Sequence, residues 1–172
     1  MKKVEHGKTF DRNAANPPAF EIFHNTVTEG YPEHWHTAIE IIMPTRGEYE
    51  VVVGKDSYNL KEGDIIMINS GVVHGMRFVS QGERIVMLVE PGCVENQEEM
   101  ETIFLRLPAI YFKKEDEEDP FYLFLRSQIL ELVREYDNEG AVMTHRICTG
   151  LKELFSEFGR KGFSDANAQN TF

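Results

Sequence analysis

Short apolar segments separated by glycine and proline run from Phe20 to about Pro91, and this spacing limits the fold of the chain more than any other feature. The segments are rich in Val, Ile, Phe and Tyr, which favour strands, and turn residues lie between them. The predicted strands are Phe20–Asn25, Thr37–Met43, Glu48–Gly54, Asp64–Ile68, Val73–Val79 and Arg84–Glu90. Several short strands with no long helix between them predict an antiparallel sandwich or barrel over residues 20–92.

The spacing of the apolar residues becomes helical after this region, which predicts a helical segment over residues 93–163. A first helix is expected over residues 95–107. Asp119-Pro120 is typical of a helix start, because the carboxylate caps the first turn and proline fits there. Two amphipathic stripes, joined by a short turn at Asn138-Glu139-Gly140, then predict an antiparallel helical hairpin over residues 120–160.

Composition limits what the chain binds. It has 172 residues, enough for one domain, with 29 acidic and 18 basic side chains and a formal net charge of −11. Nucleic-acid affinity depends on clustered Lys and Arg, so we expect no direct nucleic-acid contact by this chain. The longest stretch without a charged residue, 65–76, is shorter than the roughly 20 apolar residues that a membrane span needs. Cys93 and Cys148 lack metal or redox spacing, which favours a reducing, cytoplasmic location.

The polar ends of the chain are interpreted as appendages to this domain. Residues 1–19 carry few periodic apolar side chains and are expected to form an N-terminal arm. Residues 164–172 are small and polar and are interpreted as the start of a linker. The overall prediction is a mostly β domain, an antiparallel barrel, followed by an α-helical hairpin.

The residues with metal-binding chemistry lie between His34 and His74. His34, His36 and Glu40 share parity, so on a strand their side chains project from one face. His74 follows a turn on a later strand. Three imidazoles and one carboxylate form a donor set that suits Fe, Mn, Ni, Co or Zn, and the sequence does not choose among these ions. The alternative interpretation is that the four side chains line a polar pocket without a metal.

These residues lie in a pattern that resembles the two motifs of the cupin superfamily. His34-x-His36-x-x-x-Glu40 followed by Gly47 resembles the first motif. Gly63, five residues, then Asn69-x-Gly71-x-x-His74 resembles the second. The resemblance implies a cupin (jelly-roll) barrel in which the two His of the first motif, its Glu and the His of the second bind one divalent transition metal. Asn69 and Phe78 depart from the motif, which usually has proline and asparagine there, but neither is a metal ligand.

Within the cupins, the chain most resembles the N-terminal sensor and dimerisation domain of AraC-type transcriptional regulators. Glu40-Ile41-Ile42, the segment from Leu60 to Asp64 and the helical hairpin after the barrel carry this resemblance. It implies transcription regulation: a small-molecule effector, for example a sugar, binds in the barrel and controls a DNA-binding domain that is not present in this chain. The alternative is a stand-alone metal-dependent cupin enzyme, a dioxygenase or sugar isomerase. We expect a non-enzymatic protein and assign no catalytic residue.

The remaining expectations concern the ligand and the oligomer. The proposed ligand-binding residues are the four candidate metal ligands together with Met76. The other methionines of the barrel are interpreted as core-filling side chains. The arginines of the same region are interpreted as solvated surface residues; they are Arg46, Arg77 and Arg84. A homodimer is expected through the C-terminal helices, with a candidate interface at Leu151, Leu154 and Phe155.

Overall fold

The computed structural model describes residues 19–27, 30–93, 108–114, 118–138 and 140–161. The predicted arm, apart from its last residue, lies outside the described residues. So do the predicted helix over residues 95–107 and the predicted linker over residues 164–172. The described part of the chain before residue 94 ends in a short 3-10 turn, Pro91–Cys93.

Antiparallel strands make up most of the described chain. They are β1 (Phe20–Val27), β2 (Tyr31–His34), β3 (Ile39–Arg46), β4 (Tyr49–Val53), β5 (Asp56–Leu60), β6 (Ile65–Ile68), β7 (His74–Phe78), β8 (Gly82–Val89) and β9 (Ala109–Phe112). One sheet has five strands in the order β1-β8-β3-β6-β9, and the other has four in the order β2-β7-β4-β5. Each described pairing is antiparallel, as in β1 with β8 and β4 with β7. The predicted jelly-roll barrel is therefore confirmed.

Three of these strands were not predicted from the sequence. Strand β2 contains proline and is mostly exposed, and β5 is polar except for two buried side chains, so neither shows a strong apolar alternation. Strand β9 lies inside the segment that the sequence analysis assigned to helices, and it pairs with β6 at the edge of the five-stranded sheet. The prediction of a helical segment over residues 93–163 did not include β9, because long-range pairing with β6 determines its conformation.

Two helices follow the sheets, α1 (Pro120–Asp137) and α2 (Met143–Lys161). The predicted start of the first is confirmed: the carboxylate of Asp119 accepts a hydrogen bond of 2.8 Å from the backbone N–H of Phe121. The two helices contact each other as a hairpin. Within the described residues, neither helix is both long enough and apolar enough to cross a membrane.

The helices cover the outer face of the five-stranded sheet, the face directed away from the other sheet. Odd-numbered residues of β3 and β8, such as Ile41 and Met87, share one buried cluster with the helical side chains Ile129 and Ile147. Even-numbered residues such as Val86 face the barrel interior, in a separate cluster. Because both faces of this sheet are covered, β3 and β8 are almost continuously buried.

The candidate dimer interface is part of this same packing. Leu151 and Leu154 are fully buried, and Phe155 is 1% exposed, all within a single chain. They contact the core beneath the hairpin. The prediction that these three residues form an interface is therefore wrong, because the chain's own sheet already covers the apolar stripe. The oligomeric state itself stays a prediction.

Candidate metal and ligand site

The four predicted metal ligands converge at one place in the barrel. One ligand atom from each of His34, His36, Glu40 and His74 lies within 4.8 Å of the other three. His34 is half-buried and the other three side chains are buried. The three imidazole rings are in contact, with centroids 4.4 to 5.4 Å apart.

The route by which these side chains converge differs from the sequence prediction. The shared parity of His34 and Glu40 suggested one continuous strand, but the chain leaves the four-stranded sheet after His34 and enters the five-stranded sheet at Ile39. His36 lies in the crossing segment. The side chains therefore meet because the chain passes between two facing sheets at the barrel end, which strand alternation alone would not produce.

His74 reaches the cluster from the second motif. It begins β7, and in the β2–β7 pairing it lies directly opposite His34. The turn before it includes Gly71, whose φ of +73° is a left-handed conformation that favours glycine. The backbone N–H of Gly71 donates to the carbonyl of His36 at 2.8 Å. This bond joins the two motifs and holds their imidazoles together.

Each imidazole is oriented by its own backbone. The Nδ1–H groups of His34, His36 and His74 donate to carbonyl oxygens at 3.1, 2.9 and 2.8 Å. The accepting residues are Pro32, Ala38 and Val72, respectively. Since a carbonyl only accepts, Nδ1 carries the proton and Nε2 is the atom left for the cluster. Protein metal sites commonly hold their histidines in this way.

Glu40 is the acidic centre of the cluster. Its Oε2 lies 3.0 Å from Nε2 of His36 and 2.9 Å from Nε2 of His74. Burial alone raises the pKa of Glu40, but the hydrogen bonds and charges of the two histidines outweigh it and hold this pKa well below its usual range. A carboxylate oxygen and an imidazole nitrogen at this distance need a cation between them, either a proton or a metal ion.

The other two shifted groups have opposite pKa changes. Burial, aided by the neighbouring His74, lowers the pKa of His34. For His74, burial also lowers the pKa, but the hydrogen bond and charge of Glu40 outweigh it and raise the pKa overall. His34 is thus more readily neutral than His74.

The residues present fit a divalent transition metal. Two ligand atoms about 2.1 Å from one ion lie at most about 4.2 Å apart, so the widest separation of 4.8 Å needs to close by only about half an ångström. Three imidazole nitrogens and one carboxylate oxygen suit Fe, Mn, Ni, Co or Zn. Four protein ligands leave positions for an exogenous ligand on an ion that prefers six.

The barrel arginines divide into two kinds. The side chains of Arg46 and Arg77 are 59% and 65% exposed and pair with Glu83 and Glu50, which agrees with the surface interpretation. Arg84 is only 5% exposed, so that interpretation is wrong for this residue. The parity of Arg84 in β8 places its side chain on the inner face. The sequence alone does not show which face is the inner one, because β8 has apolar residues on both faces.

The methionines also divide between the two faces of the barrel wall. Met43, Met67 and Met87 belong to the core beneath the helices, as the core-filling interpretation predicts. Met76 is 7% exposed and belongs to the interior cluster of the barrel. It lies two residues from His74 on the same strand, so both side chains project from the same face of β7.

Comparison with known proteins agrees with this arrangement. Residues 25–90 match the protein-family model described as Cupin domain. No curated protein sequence matches the chain significantly. A cupin described as RmlC-like, from Shewanella frigidimarina, is 19% identical, with 41% of this chain and 66% of that one covered and a TM-score of 0.40.

Two structures of ToxT from Vibrio cholerae cover more of the chain. The apo form from strain SCE256, a single-residue variant, is 11% identical, with 88% of this chain covered and a TM-score of 0.52. A second crystal form is 12% identical, with 84% covered and the same TM-score. The chain spans 60% and 57% of those two proteins, and at these identities the likeness concerns the fold. Residues 25–90, which contain all four members of the histidine–glutamate cluster, match a cupin domain in both sequence and fold.

Proposed function

We propose that this chain is the ligand-sensing domain of an AraC-type transcriptional regulator, which binds a small metabolite beside a metal ion in the barrel. The observation that carries the proposal is the buried cluster of three histidines and Glu40 inside a barrel whose outer wall is covered by a helical hairpin. In this proposal the DNA-binding domain lies outside the present chain.

The likeness to ToxT supports the regulatory part of the proposal. ToxT is an AraC-family regulator, and its fold corresponds to more than four fifths of this chain. A protein that shared only the barrel with this chain would match a smaller part of it. Because the chain covers about three fifths of ToxT, control of DNA is proposed for the whole regulator.

The cluster supports the binding part. His34, His36, Glu40 and His74 would hold the metal, which when bound supplies a positive centre for an oxygen-bearing ligand. The chain's own residues keep each Nε2 directed at the site through their backbone hydrogen bonds and exclude water by burial. Met76 would contact the ligand from the adjacent position on β7.

The five-stranded sheet offers a route from the site to the hairpin. On β3, Glu40 faces the cluster while Ile39 and Ile41, its sequence neighbours, pack in the same core as Leu151 of α2. A ligand that changes the position of Glu40 therefore also acts on the packing of the hairpin. Such a ligand switches the regulator only if its affinity differs between the two arrangements.

Metal binding by matched histidine variants tests the site. His36→Ala removes a buried member of the cluster, and His145→Ala removes an exposed histidine of α2 as the control. We expect wild type and His145→Ala to bind one Zn²⁺ or Ni²⁺ per chain in calorimetry, and His36→Ala to lose this binding. Equal binding by all three proteins would exclude the cluster as the metal site.

Regulation is tested in the full-length protein. We expect its affinity for the DNA upstream of its own gene, measured by mobility shift, to change when the metal is removed with a chelator. His36→Ala should abolish that change and His145→Ala should preserve it. A DNA affinity that does not respond to metal or to His36→Ala contradicts the proposed coupling.

A further inference from the structure

A buried arginine projects into the barrel near the cluster. Arg84 on β8 is 5% exposed and shares parity with Val86 and Leu88, which form an interior cluster with Ala38. The intervening Ile85 packs on the opposite side, in the core beneath the helices. Because successive strand residues alternate in direction, the guanidinium of Arg84 lies inside the barrel.

Among the described residues, none forms an ion pair with this guanidinium, and its Nε is buried and makes no hydrogen bond. The guanidinium lies over the ring of Tyr49, whose centroid is 5.2 Å from the guanidinium carbon. The hydroxyl of Tyr49 is likewise buried and makes no hydrogen bond to the described residues.

Such a group is costly to leave unpaired. Burial lowers the pKa of Arg84, and the charge of Glu40 acts in the opposite direction. Arginine nevertheless stays protonated in proteins, so the barrel interior holds a positive charge that the described residues do not neutralise directly. A planar guanidinium is suited to bind both oxygens of a carboxylate.

The register places Arg84 within a ligand's length of the cluster. Arg84 lies four residues along β8 from the residue that pairs with Glu40, which is about 13 Å between backbones. The long arginine side chain shortens this distance. On the facing sheet, Met76 lies between His74 and Phe78 on one face of β7.

Phe78 lies at the end of the barrel where Arg84 lies, because it pairs with Tyr49, whose ring contacts Arg84. Tyr31 lies nearer the cluster: it pairs with Met76 across β2 and β7, and its ring centroid is 4.7 Å from that of His34. The two aromatic side chains are 44% and 45% exposed, Tyr31 beside the cluster and Phe78 at the Arg84 end.

We infer that Arg84 binds the carboxylate of a small organic acid, which extends along Met76 toward the histidine–glutamate cluster. This inference rests on the proposed function and names the class of its ligand. With a divalent ion bound, three neutral histidines, Glu40 and Arg84 leave the site with a net charge of +2, which favours an anion over an uncharged sugar.

Benzoate and benzamide are matched probes for this subsite, since they differ in the charge of one group. We expect benzoate, but not benzamide, to raise the melting temperature of the wild-type protein and to bind in calorimetry. Arg84→Met should weaken benzoate binding about tenfold or more, the effect of losing a charge-assisted pair. Arg77→Met, which removes an exposed arginine, should bind benzoate as the wild type does.

A purely structural role makes a different prediction. If Arg84 only supports the fold, Arg84→Met lowers the melting temperature without ligand. If it serves a ligand, removing an unpaired buried charge leaves that temperature unchanged or higher. Arg84→Lys, which keeps the charge and loses the planar fork, provides a second variant and should weaken benzoate binding by less than Arg84→Met.

The inference is wrong if benzoate and benzamide have equal effects on the wild type, or if Arg84→Met binds benzoate unchanged. Calorimetry with Zn²⁺ alone separates this result from failure of the proposed metal site. Benzoate binding that depends on Arg84 in a protein without Zn²⁺ affinity would support the carboxylate subsite and contradict the metal. Zn²⁺ binding without Arg84-dependent benzoate binding would contradict the subsite alone.

Discussion

Glu40→Gln is the most informative single change at the cluster, because it removes a charge and keeps the shape of the side chain. In the structure, one oxygen of Glu40 lies within hydrogen-bond distance of the Nε2 atoms of two buried imidazoles, at 2.9 and 3.0 Å. The glutamine amide retains one accepting oxygen, but its NH₂ group cannot accept. The substitution therefore removes the anionic member of the donor set that would hold the metal.

The size of the effect follows from these contacts. Hydrogen bonds to a charged group contribute about 1.5 to 3 kcal/mol each, and a buried carboxylate has its own desolvation cost, so we expect the metal-free protein to lose about 1 to 2 kcal/mol. Even disturbing the groups around a metal ligand typically weakens metal binding about 10- to 100-fold. Loss of the carboxylate itself should weaken Zn²⁺ binding about 100-fold or more, which is about 2.7 kcal/mol.

Calorimetry with Zn²⁺ measures this directly, and urea unfolding shows whether the variant is folded. Glu50→Gln is the matched control, because Glu50 makes its hydrogen bonds to Ser57 and Arg77, away from the cluster. Glu50→Gln should bind Zn²⁺ as the wild type does. If Glu40→Gln does so too while remaining folded, Glu40 is not a metal ligand and the proposed site is incorrect.

Two further predictions concern the packing of the helices. Leu151→Ala should lower the free energy of unfolding by about 3 kcal/mol, because Leu151 is fully buried beneath the hairpin, and should leave the mass measured by light scattering unchanged. If Leu151→Ala instead lowers the measured mass and leaves the stability unchanged, Leu151 lies in a dimer interface and the prediction is wrong. Cys93 and Cys148 have sulfurs 3.3 Å apart, and burial raises the pKa of Cys93 to about 12, so the reaction of Cys93 with thiol reagents at pH 7 should be slow. Diamide, the oxidant that takes up the two thiol hydrogens, should link them within one chain; dimers on a non-reducing gel would contradict this.

Much of the fold was predictable because it depends on local patterns. Strands such as β3 and β8 have continuous runs of β-branched and apolar residues, and the start of α1 is marked by Asp119-Pro120. Strands β2 and β5 were missed because proline or polar residues weaken their apolar alternation, and β9 because it lies in a segment assigned to helices, where pairing with β6 determines its conformation.

The candidate site shows the same division. The identities of His34, His36, Glu40 and His74, and their order along the chain, came from the sequence by itself. The geometry did not, because His34 and His74 lie on one sheet and Glu40 on the other, and they meet only where the chain crosses between the sheets. Parity grouped residues that do converge, although the continuous strand it assumed is interrupted.

The sequence by itself determined the chemical groups available, the approximate order of strands and helices, and the acidic balance of the chain. Only the tertiary structure decided which apolar and charged side chains are enclosed. Leu151 belongs to the core of its own chain and Arg84 lies inside the barrel, although the sequence suggested a dimer interface for Leu151 and the solvated surface for Arg84. The physical reason is that periodicity specifies which residues share a face, whereas packing between distant segments determines what covers that face.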